Sequence, residues 1–170
     1  GAVPATANTD GRRTIEYSTA GSKTVQLIVF SNEPGASCGD TSTVTFTVNT
    51  CPGTITGKVL KVADNSPIAN VNLRLFADAN LDGVQDNGTI VKNVFTTTNG
   101  DYTMAAVTPG HYVIVETQPA NYISDHDEDI TPDQDSVANT NMNDNIIPVT
   151  VEPSETDNGN YFYESPSPGT

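Results

Sequence analysis

Tryptophan is absent, cysteine occurs only twice, and no lysine or arginine follows Lys92. No run of eighteen apolar residues exists, so no segment qualifies as a membrane-spanning helix, and no membrane insertion is expected. The opening Gly1-Ala2-Val3-Pro4 lacks the basic and apolar regions of a targeting peptide, and the sequence is expected to begin inside a domain of a longer chain. The shortage of bases is uneven. Residues 1–53 carry Arg12, Arg13 and Lys23 against Asp10, Glu16, Glu33 and Asp40, a net charge of −1; residues 54–170 carry four bases against seventeen acids, a net charge of −13. Approach to phosphate would cost counterions rather than release them, which disfavours anionic membrane, and no nucleic-acid partner is expected.

What is present favours strands. Threonine, asparagine, aspartate and glycine are frequent and helix-forming stretches scarce, a composition suited to an exported all-β protein. Apolar residues alternate over Arg13 to Tyr17, Lys23 to Phe30 and Thr41 to Val48, three strands that leave an apolar face uncovered unless another sheet packs on it. Cys51-Pro52-Gly53 interrupts the pattern, which resumes over Thr54 to Val62, Val71 to Phe76, Thr89 to Thr97, Asp101 to Ala105, Tyr112 to Glu116, Ile146 to Val151 and Asn160 to Tyr163. Seven strands predict a sandwich. Asn87-Gly88, Asn99-Gly100 and Pro109-Gly110 are turns between them, and Ser124 to Asn145 is predicted to be a long loop. The expected division is 1–51 for a partial β-sandwich, 52–164 for a complete one and 165–170 for a linker. Cys38 and Cys51 flank a strand roughly 25 to 30 Å long, which disfavours a bridge between them, since bridged Cα atoms lie within about 7 Å; the alternative is a partner for Cys38 in preceding sequence.

The acids are patterned as well as numerous. Asp78, Asn80, Asp82 and Asp86 place side-chain oxygens at the first, third, fifth and ninth positions of one loop, with the Val84 carbonyl at the seventh and Gly83 at the sixth. That spacing suits Ca2+, a hard cation that takes six to eight oxygen ligands. An EF-hand would place glutamate at the twelfth position, where this chain has Thr89 in a predicted strand, so the match is in ligand spacing alone. The competing account is an acidic turn.

Several elements together carry a resemblance: Gly53-Thr54-Ile55-Thr56-Gly57-Lys58-Val59, Asn99-Gly100-Asp101-Tyr102-Thr103, Pro109-Gly110-His111-Tyr112 with Glu116 four residues on, and Asn158-Gly159-Asn160-Tyr161-Phe162. Residues 53–164 resemble the calcium-binding B repeats of serine-aspartate repeat adhesins, which have Cna B-type, prealbumin-like folds. Tyr17 to Val29 and Thr45 to Val48 resemble the C-terminal half of a PKD domain, an immunoglobulin-like sandwich, without its tryptophan-bearing strand. The resemblance implies a calcium-stabilised stalk or spacer on a bacterial cell surface, partnered by neighbouring domains of its own chain and by a host or surface ligand. It also implies further calcium ligands in the second acidic segment, for which Asp125, Asp127, Asp133, Asp135 and Asp144 are the candidates; Asp101, beside a turn glycine, is either a further ligand or an ordinary turn residue. Cna B-type domains often carry a lysine–asparagine isopeptide bond assisted by a buried acid. Lys61, Asn160 and Glu116 are the candidates here, although metal is expected in place of the crosslink.

No catalytic chemistry is expected. His111 and His126, the two histidines, accompany no serine or cysteine nucleophile motif, and no phosphate loop or cysteine-pair zinc motif occurs. The rival functions are an accessory domain of a secreted enzyme, or a carbohydrate- or protein-binding module using Tyr102, Tyr112, Tyr122, Tyr161 and Tyr163 as a stacking surface.

Overall fold

The computed structural model describes residues 15, 17, 20–30, 39–130, 139 and 141–169. It is all-β among the described residues and divides into two units, Gly1–Thr50 and Cys51–Thr170.

In the first unit, β1 (Gly21–Phe30) pairs antiparallel with β2 (Gly39–Val48) in unbroken register, Gly21 opposite Val48 and Phe30 opposite Gly39. The Thr24 and Thr45 hydroxyls lie 3.2 Å apart as a cross-strand pair, and the Tyr17 ring meets Phe46 edge-on, with the Lys23 ammonium over its face. Leu27, Ile28 and Val44 remain exposed. Of the strand expected over Arg13 to Tyr17, only Ile15 and Tyr17 are described, and Tyr17 forms a single bridge. Cys38 lies outside the described residues; Cys51 is exposed and unbridged.

The second unit is a sandwich of two four-stranded sheets. Its strands are β3 (Gly53–Lys61), β4 (Asn72–Ala77), β5 (Ile90–Phe95), β6 (Asp101–Val107), β7 (Gly110–Glu116), β8 (Tyr122–Asp129), β9 (Ile146–Val151) and β10 (Thr156–Pro166). One sheet has the order β6-β3-β10-β8 and the other β5-β4-β7-β9. Alternation along β3 turns Ile55 and Val59 inward against Leu73 and Leu75 of β4, Met104 of β6, Ile114 of β7, Ile147 and Val149 of β9, and Phe162 of β10. Each of these side chains is at most 2% exposed. Burying such an aliphatic or aromatic side chain stabilises the fold by about 1.5–3 kcal/mol.

Two expectations need correction. The unit has eight strands and not seven, because β8 occupies the start of the segment expected to be a loop. Its inward positions hold Ser124, Asp127 and Asp129, which lie opposite Glu164, Phe162 and Asn160 of β10. An inward row of polar residues lacks the apolar alternation by which a strand is read from sequence. The last strand, Thr156–Pro166, is also longer at both ends than the expected Asn160 to Tyr163.

Candidate functional site

Between β4 and β5 the chain folds around one carboxylate. Asp78 is 1% exposed; its Oδ1 accepts from the Asp82 N–H at 3.1 Å and its Oδ2 from the Gly83 N–H at 3.0 Å. Asp82 Oδ1 accepts from the Val84 N–H at 2.9 Å and its Oδ2 from Asn80 at 3.0 Å, while Asp86 Oδ2 accepts from the Ala79 N–H at 2.7 Å. The loop can close this tightly because Gly83, and unusually Leu81, take left-handed backbone angles (φ 76° and 61°). Each carboxylate oxygen offers two lone pairs, so one donated N–H leaves capacity for a cation. The donors suit calcium by type, all being oxygen. Among the described residues, however, no three histidine, cysteine or carboxylate side chains are gathered into a ligand group.

The second acidic segment is split by strand parity. Asp125 faces outward, hydrogen-bonded to His126 and Ser165 at 2.9 Å each, contacts that hold its carboxyl below the usual range. Asp127 faces inward and is fully buried. Its Oδ2 shares the Ile146 N–H with Asp144 Oδ1, at 3.0 and 3.1 Å, so Asp127 and Asp144 are brought together at the start of β9. Burial pushes the Asp127 carboxyl up to about 7. Asp133 and Asp135 lie outside the described residues. Asp101 forms an ion pair with Lys58.

Next to Asp127 is a cluster whose members lie far apart in the sequence. Glu116, at the end of β7, is 4% exposed, and Glu164, on β10, is fully buried. Neither Glu116 oxygen receives a donor, nor does Glu164 Oε1, Asp127 Oδ1 or Asn145 Oδ1. Glu164 Oε2 accepts from Gln118, whose own Oε1 accepts from Asn145 at 3.1 Å. Burial first, then the adjacent Glu164 charge, pushes Glu116 up to about 9; burial also raises Glu164. The signal for Glu164 was its strand parity with Phe162, two residues earlier.

The three isopeptide candidates are not brought together. In the parallel register of β3 and β10, Asn160 lies opposite Gly57 and Lys61 opposite Glu164. Asn160 Nδ2 donates to the Thr56 carbonyl and to Asp157 Oδ1, at 3.2 and 3.0 Å, while Glu116 adjoins Glu164 instead. Of the five tyrosines, Tyr102 and Tyr112 are buried in the core. Tyr161 and Tyr163 meet edge to face, and His126 stacks on Tyr163 at 4.3 Å.

No curated protein matches this chain. Among solved structures, the Bacillus anthracis TIE protein superposes with a TM-score of 0.54 at 11% identity, over 94% of this chain and 31% of that one. BcpA, the major pilin subunit of Bacillus cereus, gives 0.48 at 16% identity over 88% and 39%, and the minor pilin GBS52 of Streptococcus agalactiae gives 0.44 at 15% over 98% and 68%. The chain thus spans about a third of the TIE protein, and at this identity the similarity is one of fold alone. A family model, that of the second β-sandwich domain of NOMO1-like BOS complex subunits, matches residues 53–147. That match takes in more than half of the sequence and the strands from β3 to the start of β9, and by it the chain belongs to the NOMO1-like second β-sandwich domain family.

Proposed function

We propose that this chain is a calcium-braced structural spacer of an extracellular bacterial cell-surface protein, without a catalytic task. On this reading Cys51–Thr170 behaves as a B-type repeat and the β1–β2 unit belongs to a PKD-like sandwich. The observation that carries it is the path of the chain: β3 and β10 are parallel neighbours, Thr54 beside Thr156 and Lys61 beside Glu164. The polypeptide therefore arrives at the Gly53 pole of the sandwich and leaves from the Pro166 pole, which extends a multidomain chain lengthwise. An antiparallel pair of terminal strands would return it to the pole where it arrived.

Calcium serves this role at Asp78, Asn80, Asp82, Val84 and Asp86, where the carboxylates repel one another unless neutralised. An ion bound only by the folded form stabilises it by RT ln(1 + [L]/Kd), about 2.7 kcal/mol at a hundredfold excess over Kd. The TIE protein and pilin folds are compatible with such a module. A second reading, a carbohydrate-binding face, has support in the outward Tyr161–Tyr163–His126 group.

Small-angle scattering of one, two and three tandem copies in calcium tests the spacer. The maximum dimension should grow by a constant increment per copy; a dimension that fails to grow with copy number would refute it. Selective retention on a glycan array would favour the carbohydrate reading.

A further inference from the structure

We infer that the outer face of the β6-β3-β10-β8 sheet carries a binding site for a single neutral sugar ring, in the open cleft between Lys58, Asp101 and Tyr161. The inference goes beyond the spacer and deepens the carbohydrate reading, on which it rests, by adding to the Tyr161–Tyr163–His126 group a cleft with hydrogen-bonding groups of its own.

Register makes the cleft. Ile55 and Val59 of β3 point into the core, so Thr56 and Lys58 point outward. Thr56 lies opposite Thr103 of β6 and Lys58 opposite Asp101; on its other side Lys58 lies opposite Tyr161 of β10. Between Asp157 and Asn160 the pairing of β10 with β3 slips, in a bulge that contains Asn158 and Gly159, the latter at φ 90°. A bulge bends its strand and interrupts the ladder. Here it borders a cleft of about 270 Å³ lined by Thr56, Lys58, Asp101, Thr103, Asn158 and Tyr161. Sites for drug-sized ligands run from about 300 to 1,000 Å³, so this one has room for a single ring.

The lining selects the ligand. It is mainly polar, whereas most small-molecule sites are lined by apolar side chains. The Lys58 ammonium holds Asp101 Oδ1, and the two side chains remain 37% and 46% exposed. An ammonium has three donors and a carboxylate two acceptor oxygens, so a pair that spends one of each on itself keeps donors and an acceptor side by side. The pair is neutral as a unit. Residues 54–170 carry a net charge of −13, which repels acidic sugars, and a cation would meet the Lys58 ammonium. Adjacent hydroxyl groups, each both donor and acceptor, match such a pair. The Thr56 hydroxyl, which reaches the Asp157 carbonyl only at 3.5 Å, is a further group for the ligand. Tyr161 supplies the apolar wall: His126 covers Tyr163, whereas Tyr161 stands at 69° to Tyr163 and borders the cleft. A pyranose has both surfaces, a rim of hydroxyls and a face of C–H groups that packs on an aromatic ring.

The test is an amide NMR titration of the whole chain with the methyl glycosides of glucose, galactose, mannose and N-acetylglucosamine. At least one should shift the Gly57, Asp101 and Gly159 signals. Lys58→Ala and Asp101→Ala should each weaken that binding about tenfold, the loss of one charge-assisted hydrogen bond, and Tyr161→Ala should weaken it as well. Should an alanine variant fail to fold, Lys58→Met, which keeps the apolar stem and removes the charge, is read in the same way. No shift with any of the glycosides would overturn the cleft, and so would binding that the Lys58 and Asp101 variants retain in full. Shifts confined to Tyr163 and His126 and abolished by Tyr163→Ala would support the stacking group while refuting the cleft.

Discussion

Tyr102 reaches across Gly57 to donate its phenolic hydrogen to the main-chain oxygen of Asn160, 2.9 Å away. Gly57 lies between the two in the sheet, opposite Asn160 on one side and Tyr102 on the other. A Cβ there would sit 1.9 Å from the Asn160 oxygen and 2.5 Å from the Tyr102 hydroxyl. Gly57→Ala should therefore cost about 3 kcal/mol, the upper end of overpacking, and lower the melting temperature by roughly 10 °C. Tyr102→Phe, which removes only the hydroxyl, should cost about 1–2 kcal/mol. Calorimetry of the two variants checks the order, and an alanine variant as stable as the parent would show that the strands can part at no cost.

The loop variants should separate scaffold from ligand. Asp78 accepts two backbone N–H groups while buried, so Asp78→Ala should destabilise by about 1–3 kcal/mol even in chelator. Asp82 is exposed and holds one backbone N–H, so Asp82→Ala should be mild in chelator and should remove most of the loop's calcium increment. Thermal melts in calcium and in chelator decide this. Identical behaviour of Asp82→Ala and parent in both buffers would reduce the loop to an acidic turn.

Stability in chelator should fall as pH rises from about 5 to about 9. Glu116 is pushed up to about 9 and Asp127 to about 7, above the ordinary carboxylate values of the unfolded chain. Across that window the folded state holds protons that the unfolded state has released, so the unfolded state binds fewer, and each pH step favours unfolding. Melting temperatures at pH 5, 7 and 9 measure the slope; a flat or rising profile would mean that the two groups are not buried as described.

Intact mass should equal the sequence mass, with no deficit of about 17 Da, the ammonia expelled when a lysine amine displaces an asparagine amide. The reason is distance along the register: Lys61 lies opposite Glu164, and Asn160 is four residues away along β10.

The apolar core was legible in the sequence because Ile55 and Val59, Leu73 and Leu75, and Val149 and Val151 each share one face of a strand, and alternation records that face directly. β8 was not, since its inward side carries Asp127 and Asp129, and hydropathy registers acids as solvent-facing. The same fact hid half of the candidate site. Asp78 to Asp86 stood out by spacing within nine consecutive residues, whereas Glu116, Asp127, Asn145 and Glu164 are gathered only by the pairing of β7 with β9 and of β8 with β10. Spacing along a chain reports local clusters of acids; clusters assembled across sheets need the register.

The side-by-side course of β3 and β10 has a mechanical consequence. Tension applied through Gly53 and Pro166 pulls these strands past one another along their own axes, so the hydrogen bonds from Thr54–Thr156 to Lys61–Glu164 bear the load together. They would rupture in shear as a set, whereas a hairpin pulled at its open end unzips one rung at a time. Glu164 lies at the far end of that ladder.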